Sequence, residues 1–312
     1  MRDIDIVITW VDGNDVNWLN KKDKHSPNKK SIKTADVKGR FRDNQELKYL
    51  LRSIEKNFIT EEPNIFIVVD KQIPDWINKD KDKVKIINHN DFIPNKYLPL
   101  FSSRAIETFI HRIPNISDFF IYLNDDCFFN KKIEYNDLFF NGKAIMHFEK
   151  NKININDDIS VSNFANINAG ILASQFIYKK FNITNKHLTA HSPKLIDKKF
   201  IFELEKKEPD IFEKTRIGKF REYDSHSIIA SLYPHIYTAI GKGEVNFNDV
   251  FYMGNNDTDA VKKYQHILDN KHYGVCINDT SDNKPSDDEI FKLQKRFYES
   301  MFPIKSKYEN LN

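Results

Sequence analysis

The stretch IDIVITWVDGND (residues 4–15) decides how the chain is read. Its first seven residues are a β-branched apolar run, closed by the polar turn Val11-Asp12-Gly13-Asn14-Asp15. A short continuous apolar run bounded by a turn suits a strand buried on both faces of a mostly parallel sheet. The form returns in NIFIVVD (64–70), VKIINH (84–89) and FFIYLNDD (119–126). Between the first two runs lies DNQELKYLLRSIEKNF (43–58), whose Leu47, Leu50, Leu51, Ile54 and Phe58 recur at helical spacing. Asp43, followed three residues later by Glu46, predicts a capping pair at its start. SSRAIETFIHRI (102–113) predicts a second helix with Ile106, Phe109, Ile110 and Ile113 facing inward. Strands alternating with helices predict an α/β fold: a Rossmann-like, open, mostly parallel twisted sheet flanked by helices.

After about residue 130 the pattern loosens. NGKAIMHFE (141–149) reads as one more strand, 150–165 as loop and NINAGILASQFIYKKF (166–181) as a helix. SPKLIDKKFIFELEKKEPDIF (192–212) predicts a helix capped by Ser192 with Pro193 in its first position. YDSHSIIASLYPHIY (223–237) predicts another, bent near Pro234, and 285–302 an amphipathic helix with acidic residues in its first turn. No Gly/Ser/Pro-rich linker separates the halves. The expectation is one domain over 1–312, with an α/β core in 1–130 and a mostly helical elaboration in 131–312.

Composition bounds the function. The 312 residues carry 48 basic and 45 acidic side chains, for a net charge of +3. No basic block is interleaved with aromatics, which argues against nucleic acid. No run of 18 apolar residues exists to span a membrane, and MRDIDIVITW lacks the basic start and apolar stretch of a signal peptide. A cytoplasmic protein is expected, with Lys/Arg patches able to rest peripherally on an acidic membrane surface. Cys127 and Cys276 lack CxxC spacing and read as packing residues. GxGxxG, P-loop and GxSxG motifs are missing, against dinucleotide binding, P-loop hydrolysis and α/β-hydrolase chemistry.

Three features cluster at strand ends, where open α/β sheets build ligand sites. The turn at Trp10 to Asp15 suits a ribose, a metal or a plain Asx turn. Asn124-Asp125-Asp126 ends a strand so apolar that its paired carboxylates must emerge at the tip. Oxygen-only ligation there suits Mg²⁺ or Mn²⁺ on a diphosphate, as in the DxD-type site of nucleotide-sugar glycosyltransferases, with a strand-end turn as the structural alternative. Glu107 and His111, four apart, share a helix face, as a functional pair or a helix-surface one. His191 falls just before the helix start expected at Ser192-Pro193, where free N–H groups favour a phosphate. Arg221, in KFREYD, is a candidate phosphate clamp whose planar fork matches two oxygens.

Together the blocks IDIVITWVDGND (4–15), RFRDNQELKYLLRSI (40–54), LPLFSSRAIETFIHRIPNISDFFIYLNDDCFF (98–129), HSPKLID (191–197) and CINDT (276–280) resemble, in order, those of the Stealth proteins, hexose-1-phosphate transferases of capsule and exopolysaccharide synthesis. The resemblance implies transfer of hexose-1-phosphate from a UDP-sugar, such as UDP-GlcNAc or UDP-GalNAc, to a hydroxyl of a lipid-linked oligosaccharide or capsular polysaccharide, with UMP released. It places His191, Arg221, Asp12 and His111 in catalysis, with His191 or His111 as the base. Trp10, Asp15, Arg42, Asp43, Glu46, Arg52, Ser103, Glu107, Asn124 and Asn278 contact substrate. The resemblance further implies that Asp125, Asp126 and Asp279 hold Mg²⁺ or Mn²⁺. Two departures stand out: Ser102-Ser103 replaces the usual Asn-Ser, and Asp224 follows Arg221 at a spacing that does not align. The competing readings are a metal-dependent glycosyltransferase, which would release UDP, and a carbohydrate-binding scaffold without turnover.

Overall fold

The computed structural model describes residues 4–26, 37–58, 62–78, 82–279 and 289–310. The four apolar runs become β1 (Ile4–Thr9), β2 (Ile65–Val69), β3 (Val84–Asn88) and β4 (Phe119–Asn124). Eight further strands follow: β5 (Cys127–Phe128), β6 (Phe139–Phe140), β7 (Lys143–Lys152), β8 (His187–Thr189), β9 (Lys194–Asp197), β10 (Gly243–Asn246), β11 (Val250–Gly254) and β12 (Gly274–Asn278). The main sheet has the order β3-β2-β1-β4-β9, parallel except for β9, which runs against β4. Ile6, Val7, Ile8 and the whole of β2 are buried, as continuous apolar runs covered on both faces should be.

Three expectations about local structure change. Residues 102–113 form a short helix, Ser103–Glu107, and a separate 3₁₀ turn, Ile110–Arg112. The Thr108 hydroxyl bonds back to the Ala105 carbonyl (2.6 Å), and Arg216 takes the Thr108 carbonyl (2.9 Å), so the helical ladder is interrupted there. The helix expected from Ser192 begins instead at Lys198, capped by Asp197, whose Oδ1 accepts from the Phe200 N–H (3.0 Å). Residues 194–197 are claimed by the open edge of β4 as β9, and Pro193, without an N–H, sits just ahead of the strand. The second half is also less helical than expected. It completes the main sheet and builds two smaller ones, β10-β7-β6 with β8 on β7, and β11-β12-β5. One apolar cluster runs from Ile6 through Phe148 and Ile229 to Tyr308, so the two halves share a core.

Other elements stand close to their expected places. The helix Ala165–Phe181 matches its periodicity, and Glu289–Met301 matches the described part of 285–302; the acidic residues before Glu289 lie outside the described residues. Near Pro234 a π turn (Ile228–Leu232) leads into the helix Tyr233–Ala239, with the proline in its first turn, where no N–H is needed. Among the described residues, no helix is long and apolar enough to cross a membrane.

Arg52, expected at the substrate, is a structural residue. From the helix Glu46–Asn57 it makes a two-pronged pair with Glu309 (both contacts 2.7 Å) and donates to the Phe302 carbonyl (2.8 Å). This buried pair ties the end of the described chain to the first crossover helix. Removing one partner strands a buried charge, so Arg52→Ala and Glu309→Ala are each expected to lower stability by about 3–5 kcal/mol. Arg52→Met combined with Glu309→Leu should recover most of that loss in a urea titration. An unchanged midpoint in the single variants would contradict this role.

Candidate active site

β1 and β4 pair in parallel with Thr9 beside Asn124, so Trp10 and Asp125-Asp126 leave the sheet at the same edge. A cleft opens there, with a volume of about 160 Å³. One end is aromatic and apolar: Trp10, Val11, Trp18, Phe41 and Phe101, with Trp18 packed on Phe41 and Phe101 (ring centroids 5.2 and 5.7 Å). The other end is charged and holds Arg40, Arg42, Glu46, Asp125, Asp126, Arg221 and Asp279. A second chamber of about 100 Å³ adjoins it, containing Arg104, Glu107, His191 and Lys194. Ser103, Asn124 and Arg221 line both chambers. Arg221 donates to Ser103 Oγ (2.7 Å), which fixes the guanidinium at the junction.

The loop order explains how distant segments meet. The Gly13 N–H donates to the Phe41 carbonyl (2.6 Å), and a Cβ at Gly13 would stand 2.1 Å from that oxygen. A Cβ at Gly39 would lie 2.4 Å from Asp279 Oδ1, so only glycine lets the 38–41 turn lie against the end of β12. Arg42 reaches across to Asp279 (2.6 Å), and Asn278 Nδ2 holds Asp126 Oδ2 (2.8 Å). Tyr122 links the strand ends, its hydroxyl lying 3.1 Å from each of Thr9 Oγ1, Glu107 Oε1 and Asn124 Oδ1, with its one proton available to either of the last two.

Charge is sorted into two poles. Asp43, Glu46, Asp125 and Asp126 crowd one side. Burial, then the charges of Asp126, Glu46 and Asp43, pushes the Asp125 carboxyl well above the usual carboxylate range. Burial and then Asp43 raise Glu46 to about 8. Arg40, Arg104 and Arg221 make the opposite pole. Burial, followed by repulsion from Arg221, lowers both Arg40 and Arg104 to about 9. His191 is half-buried among Lys194, Arg40 and Arg221, and desolvation followed by these cations depresses it to about 3, leaving a neutral imidazole.

These placements sort the expected residues. Trp10, Arg42, Glu46, Ser103, Asn124, Asp125, Asp126, Arg221, Asn278 and Asp279 line the cleft, and Glu107 and His191 the chamber behind it. Asp12 and Asp15 serve the backbone: Asp12 Oδ1 closes an Asx turn on the Asn14 N–H (2.8 Å), and Asp15 Oδ1 caps the helix Val16–His25 (3.0 Å). Asp43 and Glu46 do not cap the following helix in the expected way. Asp43 Oδ1 accepts from Gln45 N–H and Glu46 Oε2 from Asn44 N–H, while Gln45, at φ 69°, starts the helix. His111 lines neither chamber. The break after Glu107 turns it toward Glu205 (3.0 Å) and Phe202, which removes it as a candidate base. His191 stands before a strand, not a helix, so helix-terminus phosphate binding does not apply to it. Asp224 pairs with Lys214 (2.7 Å) on the surface.

The carboxylate pole suits a hard divalent cation, because its crowding is relieved only by protonation or a cation. Asp125 and Asp126 would hold it. Asp279 is engaged by Arg42, and Asp125, Asp126 and Asp279 do not form a close ligand group among the described residues; Asp126 with Cys127 and Cys276 does. Arg40, Arg104, Lys194 and Gly39 were missed as site residues. Arg40 and Lys194 lie inside motif blocks, but nothing in one-dimensional spacing aims them inward.

The site is that of an α/β protein with a cleft at its parallel strand ends. Family models for Stealth protein conserved region 1, conserved region 2 and conserved region 4 match residues 2–30, 40–148 and 265–312. The chain belongs to the Stealth protein family. It is 33% identical over 318 residues to capsular polysaccharide phosphotransferase SacB of Neisseria meningitidis serogroup A, covering 98% of this chain and 57% of SacB. It therefore spans little more than half of that relative. It is 32% identical to capsular polysaccharide phosphotransferase fcs1 of Haemophilus influenzae (89% of this chain, 78% of fcs1), and 30% identical to a capsular polysaccharide phosphotransferase of Actinobacillus suis (95% and 83%). Among solved structures, the apo structure of the bifunctional glycosyltransferase WbbM aligns with a TM-score of 0.48 at 13% identity, over 97% of this chain and 50% of that one, too slight a likeness to argue from.

Glu46 gives a test of the carboxylate pole. Its folded value lies above its unfolded value near 4.5, so the stability from its protonated form is complete below about 4.5 and is lost as pH rises through about 8. In chelator-treated protein, the melting-temperature advantage of Glu46→Gln over wild type should grow from about pH 5 to about pH 8 and then level, each unit of displacement being worth about 1.4 kcal/mol. Excess Mg²⁺ should shrink it. A difference that is flat with pH would contradict the assignment.

Proposed function

We propose that the protein transfers hexose-1-phosphate from a UDP-sugar to a glycan hydroxyl, forming a phosphodiester and releasing UMP, in capsule or exopolysaccharide synthesis. One observation carries the reading: the carboxylates Glu46, Asp125 and Asp126 and the guanidinium groups of Arg40 and Arg221 line one cleft, complementary to a cation-bound diphosphate. The family relationship supports the class of reaction. The donor would be a UDP-N-acetylhexosamine and the acceptor a lipid-linked oligosaccharide or capsular polysaccharide, met at the inner face of the cytoplasmic membrane.

In this reading the base of the nucleotide lies among Trp10, Trp18, Phe41 and Phe101, where flat rings stack on it. The diphosphate lies between Arg40, Arg221 and the carboxylates. A divalent cation on Asp125 and Asp126 supplies charge neutralisation for the phosphates. The acceptor hydroxyl enters from the second chamber and attacks the phosphorus that carries the sugar. The bond between the two phosphates breaks, UMP leaves with the bridging oxygen, and the hydroxyl proton passes to His191. Phosphoryl transfer of this kind depends on positioning and charge balance, which prearranged, half-buried arginines provide. Desolvation, followed by three cations, keeps the His191 imidazole unprotonated before substrate arrives, and the incoming anionic diphosphate offsets those cations and strengthens it as a base.

The product decides the reading. UMP together with a phosphodiester signal in ³¹P NMR is expected with UDP-GlcNAc or UDP-GalNAc, and UDP as the only nucleotide product would overturn it. His191→Ala should lower kcat by about 10²–10⁴-fold, the usual contribution of a positioned base, and near-wild-type turnover would remove His191 from that role.

Lys194 provides a pH test with a definite sign. Its Nζ donates to the Ala190 carbonyl (2.7 Å), close enough to His191 for its charge to hold the imidazole down. Lys194→Met should move the acidic limb of the kcat/KM profile upward, toward the ordinary histidine value of 6.5. A downward or absent shift would contradict the electrostatic link.

A further inference from the structure

The two cysteines, read from sequence as packing residues, meet at the edge of the site. β5 and β12 run antiparallel with Cys127 directly opposite Cys276. The Ile277 N–H donates to the Asp126 carbonyl (3.1 Å), which marks the neighbouring pair as the hydrogen-bonded one. Cys127 and Cys276 are then a non-hydrogen-bonded pair, whose side chains stand closest on one face of the ladder. Both are free thiols, and both are buried.

Asp126 turns toward them. Its Oδ1 lies 3.6 Å from Cys127 Sγ, and the Cys276 thiol stands beside the same carboxylate. One carboxylate oxygen and the two sulfurs all lie within 4.8 Å of one another. A tetrahedral Zn²⁺ with Zn–S near 2.3 Å and Zn–O near 2.0 Å has a sulfur-to-oxygen edge of about 3.5 Å, so the observed spacing needs little rearrangement. The other oxygen of Asp126 accepts from Asn278 Nδ2 (2.8 Å), the kind of outer partner that aims a metal-binding carboxylate. Asp126 lines the cleft, which gives an ion a path to the thiols.

We propose that Asp126, Cys127 and Cys276 form a binding site for a thiophilic divalent cation, with the fourth position open to water or to a ligand in the cleft. Two thiolates and one carboxylate select Zn²⁺ over Mg²⁺, since soft sulfur ligands are poor partners for a hard cation. On binding, two sulfur–metal bonds form, and each thiol releases its proton to solvent. Occupation draws Asp126 away from the hard-cation arrangement and inhibits turnover. The inhibition rests on the proposed transferase reading; the binding does not.

The test uses the full chain, reduced and treated with chelator, titrated with Co²⁺ without oxygen as a spectroscopic stand-in for Zn²⁺. One Co²⁺ per chain should bind with a sulfur-to-cobalt charge-transfer band, which Zn²⁺ removes and excess Mg²⁺ leaves in place. Zn²⁺ added to wild type in weak buffer should release about two protons per ion, a readout that needs no variant. Cys127→Ser and Cys276→Ser, checked for folding by circular dichroism, should each diminish the band and weaken Zn²⁺ binding by at least about tenfold, a ligand counting for no less than an outer partner. Co²⁺ binding without the band, an undiminished band in both variants, or no proton release would overturn the site. In the turnover assay with Mg²⁺, Cys276→Ser should keep its activity and lose inhibition by Zn²⁺; equal inhibition in wild type and variant would overturn the inhibitory role. If no UDP-sugar is turned over, the cobalt spectrum still decides the binding site.

Discussion

The site depends on the register of β1 against β4. Parallel pairing that sets Thr9 beside Asn124 ends both strands at one level, so the turn after β1 and the Asp125-Asp126 pair after β4 open into the same space. A shift of one residue would turn every side chain of a strand to the opposite face, and both strands are buried, so the core enforces the register. Ile6, Val7 and Ile8 on one strand and Phe120 and Ile121 on the other therefore position the chemistry without lining either chamber.

Around that edge the protein keeps like charges together in a buried place. Such crowding is unfavourable in isolation, because each ionised group loses water and repels its neighbours. Carboxylates on one side and arginines on the other make the arrangement complementary to a ligand carrying both signs. Functional sites commonly hold strain of this kind that the rest of the fold sustains. Here that support includes the Arg52–Glu309 pair and the continuous core beneath it.

Much of the α/β frame was legible in the sequence, because strands buried on both faces must be apolar throughout and a crossover helix must repeat at helical spacing. That Asn124, Asp125 and Asp126 reach the cleft was legible for the same reason, since so apolar a run can expose carboxylates only at its tip. Local rules failed where a distant partner competed. The open edge of β4 took residues 194–197 as a strand, although their apolar spacing also fits a helix. Arg216, far along the chain, took the Thr108 carbonyl and parted Glu107 from His111. Arg52 was assigned to the substrate and His111 to catalysis because they sit in motif blocks, and a block's identity does not say which way a side chain points.

By itself the sequence determined the class of fold, the strand ends that carry the site and the family to which the chain belongs. These follow from patterns that neighbouring residues impose on one another through the periods of strand and helix. Only the tertiary structure decided that Arg40 joins Arg104 and Arg221, that His191 lies neutral among cations, and that Cys127 faces Cys276 beside Asp126. Those facts rest on interactions between segments as much as about 180 residues apart, which chain closure and core packing select and local spacing does not encode.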